Sequence, residues 1–215
     1  MKKVIIFLCT AVLAAGAFSC GSDKSSSSDT SISDSKSSNS SDRETPDTLP
    51  DDYLDILEKY VEAYNSSGDD YLRSALPDDL VSSMKKAGTY DTVESDMDAY
   101  VEQLRGRYKD ECGENVKVKL SSVRNFKRLS WMQLDGVQLY YEALAYNYDT
   151  KYYGEPADDG YEIEFSVIAE GDDGSFAERF CFCAVEAGDG SYCIVEWSGE
   201  QLEDYMQQPE VSDED

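Results

Sequence analysis

The stretch Tyr161-Glu162-Ile163-Glu164-Phe165-Ser166-Val167-Ile168-Ala169 decides the fold. Tyr161, Ile163, Phe165, Val167 and Ala169 recur at a period of two, and two of the four residues between them are acidic. Successive side chains on a strand point to opposite faces, so this pattern predicts a strand with one buried face. Asp158-Asp159-Gly160 precedes the run and Asp172-Asp173-Gly174 follows it. Asp-Gly between alternating runs signals a hairpin, because both residues tolerate the backbone of tight turns. Residues 176–187 and 192–197 repeat the strand pattern on either side of Gly188-Asp189-Gly190. The last third therefore reads as an antiparallel meander.

Upstream of the meander, Val116, Val118 and Leu120 alternate with Lys117, Lys119 and Ser121, which predicts one more half-buried strand. Residues 131–148 satisfy both periods. Leu134, Val137, Tyr140, Tyr141 and Leu144 fit a helix, whereas Tyr140, Glu142, Leu144 and Tyr146 alternate as in a strand; helix is the reading taken. Further upstream the period is helical throughout. Pro50-Asp51-Asp52 suits a first helical turn, where a missing N–H is harmless and carboxylates favour the dipole. Leu54, Leu57, Val61 and Tyr64 then mark one face, and Asn65-Ser66-Ser67-Gly68 stops it. A short segment over 71–76 begins at Asp69-Asp70 and ends at Pro77. Pro77-Asp78-Asp79 opens another helix, with Leu80 and Met84 inward and Gly88 as its stop. A third helix is predicted over 95–112, capped by Ser95 with Asp98, with Met97, Tyr100, Val101, Leu104 and Tyr108 as its buried stripe.

The N-terminus carries no domain. Met1-Lys2-Lys3 is positive, and the uncharged apolar run from Val4 to Phe18 is shorter than the roughly 20 residues a spanning helix needs. These are the proportions of a secretory signal. The run ends in Ala17-Phe18-Ser19-Cys20-Gly21-Ser22, which resembles the bacterial lipobox. That resemblance implies cleavage before Cys20, lipidation of its thiol, and a membrane partnership through the lipid anchor. Residues 24–41 are almost entirely Ser, Asp, Lys, Asn and Thr, a composition that buries too little apolar surface to order itself. A flexible tether of about 30 residues has a root-mean-square span near 30 Å. The organisation expected is a signal over 1–19, a lipidated cysteine and Ser-rich linker over 20–48, an α+β domain over 49–198, and a fraying acidic tail over 199–215.

Composition narrows the function. The chain of 215 residues has 45 acidic and 19 basic side chains and a formal charge of −26, which becomes −28 when Lys2 and Lys3 leave with the signal. Nucleic-acid affinity comes largely from basic side chains displacing counterions, so nucleic acid is excluded as a partner. A soluble, self-repelling surface is the plain reading of the charge. The absence of histidine excludes imidazole proton shuttles and His-liganded metals. Asp172-Asp173-Gly174 lacks the alternate ligand spacing and distal Glu of a calcium loop, so the Asp-Gly pairs read as turns.

Cys112, Cys181, Cys183 and Cys193 follow the lipidation position. Outside the cytoplasm disulfides persist. Cys181 and Cys183 lie two apart on one strand face, a poor span for bridging each other. Cys183 and Cys193 are symmetric about Gly188, which predicts a cross-strand bridge and leaves Cys112 with Cys181; buried free thiols are the alternative. A zinc site fits badly, because the Cys-x-Cys spacing lacks the usual knuckle. No metal, cofactor or catalytic set is implied. Tyr140, Tyr161 and Trp197 are the candidate pocket aromatics, and the run through Tyr146, Tyr148, Tyr152 and Tyr153 reads either as a sugar or peptide platform or as rings closing the core.

Helices followed by a meander read as α+β with an antiparallel sheet. The stretches from Leu57 to Asn65, Tyr108 to Val118 and Tyr192 to Trp197 resemble a group of Gram-positive lipoproteins whose domains are similar to the nuclear transport factor 2-like cone. The resemblance implies helices wrapped by a curved sheet, an extracytoplasmic location at the cell membrane, and a non-enzymatic module binding a small molecule, glycan, peptide or protein. Two alternatives stand beside it: a cone-fold enzyme moving protons through Tyr and Asp, and a structural envelope lipoprotein.

Overall fold

Several boundaries in the chain have a local chemical cause. The computed structural model describes residues 46–207, which form six helices and four strands. Cys20 and the residues of the proposed signal and linker up to 45 lie outside the described residues. Helix α1 spans Asp51–Ala63, α2 Gly68–Ala75, α3 Asp78–Ala87 and α4 Tyr90–Cys112. Strand β1 (Lys117–Arg128) leads to α5 (Trp131–Asn147), and then β2 (Asp159–Gly171), β3 (Gly174–Glu186), β4 (Tyr192–Val195) and α6 (Gly199–Met206) complete the domain.

The sheet is antiparallel in the order β1-β2-β3-β4, an uninterrupted meander with α5 inserted after its first strand. Tyr161, Ile163, Phe165, Val167 and Ala169 are all buried, as the alternation predicts. That face meets α1, where Tyr161 packs edge-on to Tyr53 at 4.8 Å. Helix α1 also lies against β1, β3 and β4, and α4 lies against β2 and β3. The pairing of β1 with β2 slips between Leu120 and Ser122 and again between Val123 and Asn125. Each such bulge bends the strand and increases its twist. The α+β class with an antiparallel sheet is thus present. Among the described residues no helix is long and apolar enough to cross a membrane.

The structure settles 131–148 as helix, and the reason is a capping box. Ser130 Oγ accepts from the Gln133 N–H at 3.3 Å, while Gln133 Oε1 accepts from the Ser130 N–H at 2.8 Å. Two boundaries depart from expectation. Helix α4 starts at Tyr90, not Ser95, with Thr89 at a cap position whose hydroxyl makes no capping bond to the helix; burial of Tyr90 and Val93 holds that first turn. The presumed tail is helical over Gly199–Met206, because Ser198 and Gln201 form a second capping box and Leu202 is fully buried. Helix α3 begins after Pro77 without a side-chain cap of its own. Its cap comes from the β3–β4 hairpin instead, where Asp189 Oδ2 accepts from the Asp79 N–H at 2.8 Å.

Candidate functional site

Helix α1 has two working faces, and together they define the candidate site. The outer stripe is Asp52, Asp55, Ile56, Lys59, Glu62 and Ala63, spaced at three and four residues so that all lie on one side. Across from it α2 presents Asp70, Arg73 and Ser74. Between the helices runs a groove of about 370 Å³, lined by Ile56, Lys59, Glu62, Ala63, Ser66, Asp70, Arg73 and Ser74. A second cleft of about 310 Å³ shares Ile56, Lys59 and Arg73 and extends to Asp52, Asp55, Asp78, Ser191 and Tyr192. The shared residues make the two clefts one channel with its cations at the middle. Arg73 is fixed there: its Nε donates to Asp69 Oδ2 at 2.6 Å, and Tyr90 donates to Asp69 Oδ1 at 2.5 Å. The Arg73 guanidinium and the Tyr90 hydroxyl hold Asp69 below the usual carboxylate range.

The inner face carries the buried chemistry. Glu196, directly after β4, is 5 % exposed and sits among tyrosines from three helices. Tyr60 of α1 and Tyr71 of α2 both donate to Glu196 Oε1, and Tyr100 of α4 donates to Oε2 at 3.2 Å. Tyr64 donates to the Tyr60 oxygen at 2.8 Å, extending the chain of hydroxyls. Burial raises the Glu196 carboxyl above its ordinary value, against the tyrosine hydrogen bonds, which favour its anion. Burial first, and then the Glu196 charge, pushes Tyr60, Tyr64 and Tyr71 well up, so all three remain hydrogen-bond donors. Neither cleft reaches this cluster.

The aromatics singled out from sequence separate. Tyr140 and Trp197 do meet, with ring centroids 5.0 Å apart. Tyr205 of α6 packs on Trp197 at 5.3 Å, and only about 10 Å³ remains between Tyr140, Ala143, Leu144, Trp197 and Tyr205. A space of that size holds at most one water. Tyr161 is not part of it: its neighbours are Tyr53 of α1 and Phe126 of β1. The expected aromatic pocket is therefore filled, and the side chain filling it comes from α6. In the tyrosine run, Tyr140, Tyr141 and Tyr152 are buried, whereas Tyr146 and Tyr153 are 81 % and 83 % exposed.

The disulfide expectation is corrected. Cys112, Cys181, Cys183 and Cys193 are free thiols. Cys183 pairs with Val195 and Cys193 with Val185, so the two cysteines are diagonal, not opposite. The hairpin is centred on Asp189, one residue beyond the assumed axis, because Gly188-Asp189-Gly190 forms a three-residue loop closed by the Ala187 N–H donating to the Ser191 carbonyl at 2.9 Å. Gly190 takes the left-handed conformation, φ 81°, that closes such a loop. Cys112 donates to the Ala169 carbonyl at 3.5 Å, and Cys181 to Glu162 Oε1 at 3.4 Å, which keeps that pair apart as well. Burial pushes the Cys181 and Cys193 thiols up to about 12, so they behave as packed thiols, not nucleophiles. Among the described residues no group of His, Cys, Asp or Glu is arranged to hold a metal.

No family model, no curated protein and no solved structure matches this chain.

Proposed function

We propose that this chain is an extracytoplasmic lipoprotein, anchored through Cys20, whose α+β domain is a non-enzymatic binding module. One observation carries the binding reading: the groups whose protonation is most displaced are sealed away from the clefts. Glu196 with Tyr60, Tyr64 and Tyr71 would be the natural acid–base set of a catalyst, yet substrate has no route to them through the groove. The channel instead presents exposed charges and hydroxyls, which recognise a ligand without transforming it. The anchor rests on the positive start, the apolar run and the Ser19-Cys20-Gly21 junction. Likeness to the nuclear transport factor 2-like cone belongs to the same proposal; helices preceding a meander and a doubly bulged β1 support it.

Labelling of growing cells with a radioactive fatty acid tests the anchor. The wild-type chain should carry label in the membrane fraction, and Cys20→Ser should carry none. Recovery of the wild-type chain from cytosol, with Met1 retained and Cys20 unmodified, would overturn the proposal.

A further inference from the structure

We propose that the α1–α2 channel binds an extended, net-cationic peptide segment that carries one carboxylate between two basic residues. The inference rests on the binding-module reading and names its ligand class.

The charge order along the channel carries it. Lys59 and Arg73 occupy the shared middle, while Asp52, Asp55 and Asp78 line one arm and Glu62 and Asp70 the other. Among the described residues Lys59 makes no ion pair, so its ammonium keeps its capacity for an anion. A polyanion is repelled by both arms and by a chain of net charge −26. A polycation meets the unpaired Lys59 ammonium at the centre, where Arg73 is already paired with Asp69. Only a ligand with the inverse order, positive–negative–positive, meets opposite charge at every point, and like-charge juxtaposition is what rejects the others.

Dimensions select a peptide. From Asp52 to Ala63 the α1 wall is about 16 Å long at 1.5 Å per residue. Five extended residues cover about that length. Lys59 lies about 6 Å along the axis from Asp55 and about 4.5 Å from Glu62. Alternate residues of a strand stand about 6.8 Å apart on one face, a comparable spacing, so a Lys-x-Glu-x-Lys pattern places each side chain near its counterpart. Ser66 and Ser191, whose hydroxyl protons are given to Asp70 and Asp189, keep only an acceptor capacity for backbone N–H groups, and Ile56 gives an apolar floor for lysine stems. Because Asp69 and Tyr90 already hold Arg73, little order is lost at that contact on binding.

Fluorescence anisotropy with the full chain in detergent tests this, using end-capped, dye-labelled peptides Lys-Ser-Glu-Ser-Lys, Glu-Ser-Lys-Ser-Glu and Lys-Ser-Lys-Ser-Lys. The first should bind about tenfold more tightly than the other two, the combined size expected of several exposed ion pairs. Replacing the central cations, Lys59→Glu with Arg73→Glu, should transfer that preference to the all-lysine peptide. Equal binding of the three peptides, no binding of the first, or a preference unmoved by the charge reversal would each overturn the assignment. Any of these results obtained with Cys20 lipidated removes the ligand class and leaves the anchored-module reading standing.

Discussion

The two faces of α1 use the same backbone for opposite purposes. Inward, Tyr60 and Tyr64 join Tyr71 and Tyr100 around a single carboxylate that water does not reach. Outward, Lys59 and Glu62 stand in solvent a few ångströms away along the same turns. A charge-bearing group in the core is costly unless its lone pairs are satisfied, whereas an exposed charge is stabilised by water and free to meet a ligand. Titratable chemistry in this molecule has a structural use. Where it is most perturbed it ties α1, α2, α4 and the end of β4 together.

Substitutions can break that contrast in order of size. Glu196→Ala strands several buried hydroxyls at once and should cost about 3–5 kcal/mol in urea unfolding, given about 1–3 kcal/mol per unsatisfied group. Tyr60→Phe removes one donor to Glu196 and the acceptor used by Tyr64, and should cost about 1–3 kcal/mol in the same assay. Lys59→Ala, on the opposite face of the same helix, should change stability by less than about 0.5 kcal/mol. A Lys59 effect as large as that of Tyr60 would erase the distinction between the faces.

A pH series sharpens it. The folded-state value of Glu196 is raised, so protonation favours the folded chain. Its stabilising margin over Glu196→Gln should be fully present below the unfolded carboxyl value of about 4.3 and lost as pH rises through the folded value. Subtracting the Gln variant at each pH removes the background of the other acidic groups. A margin that grows with pH would mean that the tyrosine hydrogen bonds, not burial, govern this carboxyl.

Much of the fold was legible because it rests on periodicity. The alternation from Tyr161 to Ala169 and the stripe Met97, Tyr100, Val101, Leu104 and Tyr108 gave the buried faces of β2 and α4 directly. Features resting on tertiary context were not legible. The start of α4 is held by burial of Tyr90 and Val93 in the absence of a side-chain cap. Ser198-Gly199-Glu200-Gln201 did carry a capping signal, but the acidic residues beyond it concealed Leu202 and Tyr205 as the apolar anchors of α6. The hairpin register turned on a loop of three residues, and that one position separated a plausible Cys183–Cys193 bridge from two free thiols. Glu196 continued the alternation of β4 as an ordinary polar residue; nothing local marks it as the centre of a tyrosine cluster gathered from residues up to 136 positions away. Of the candidate site, the spacing showed only the apolar face of α1; the charged stripe opposite it and its pairing with α2 into a channel depend on where residues 64–67 place the second helix.

Nitration of the native chain with tetranitromethane, mapped by peptide mass, tests the separation of sealed and open chemistry most directly. Tyr146 and Tyr153, 81 % and 83 % exposed, should be modified, and Tyr60, Tyr64, Tyr71 and Tyr100 should stay intact until the chain is unfolded. Modification of Tyr60 or Tyr71 in the folded state would show that reagents reach Glu196, and would contradict the assignment of that cluster to the core.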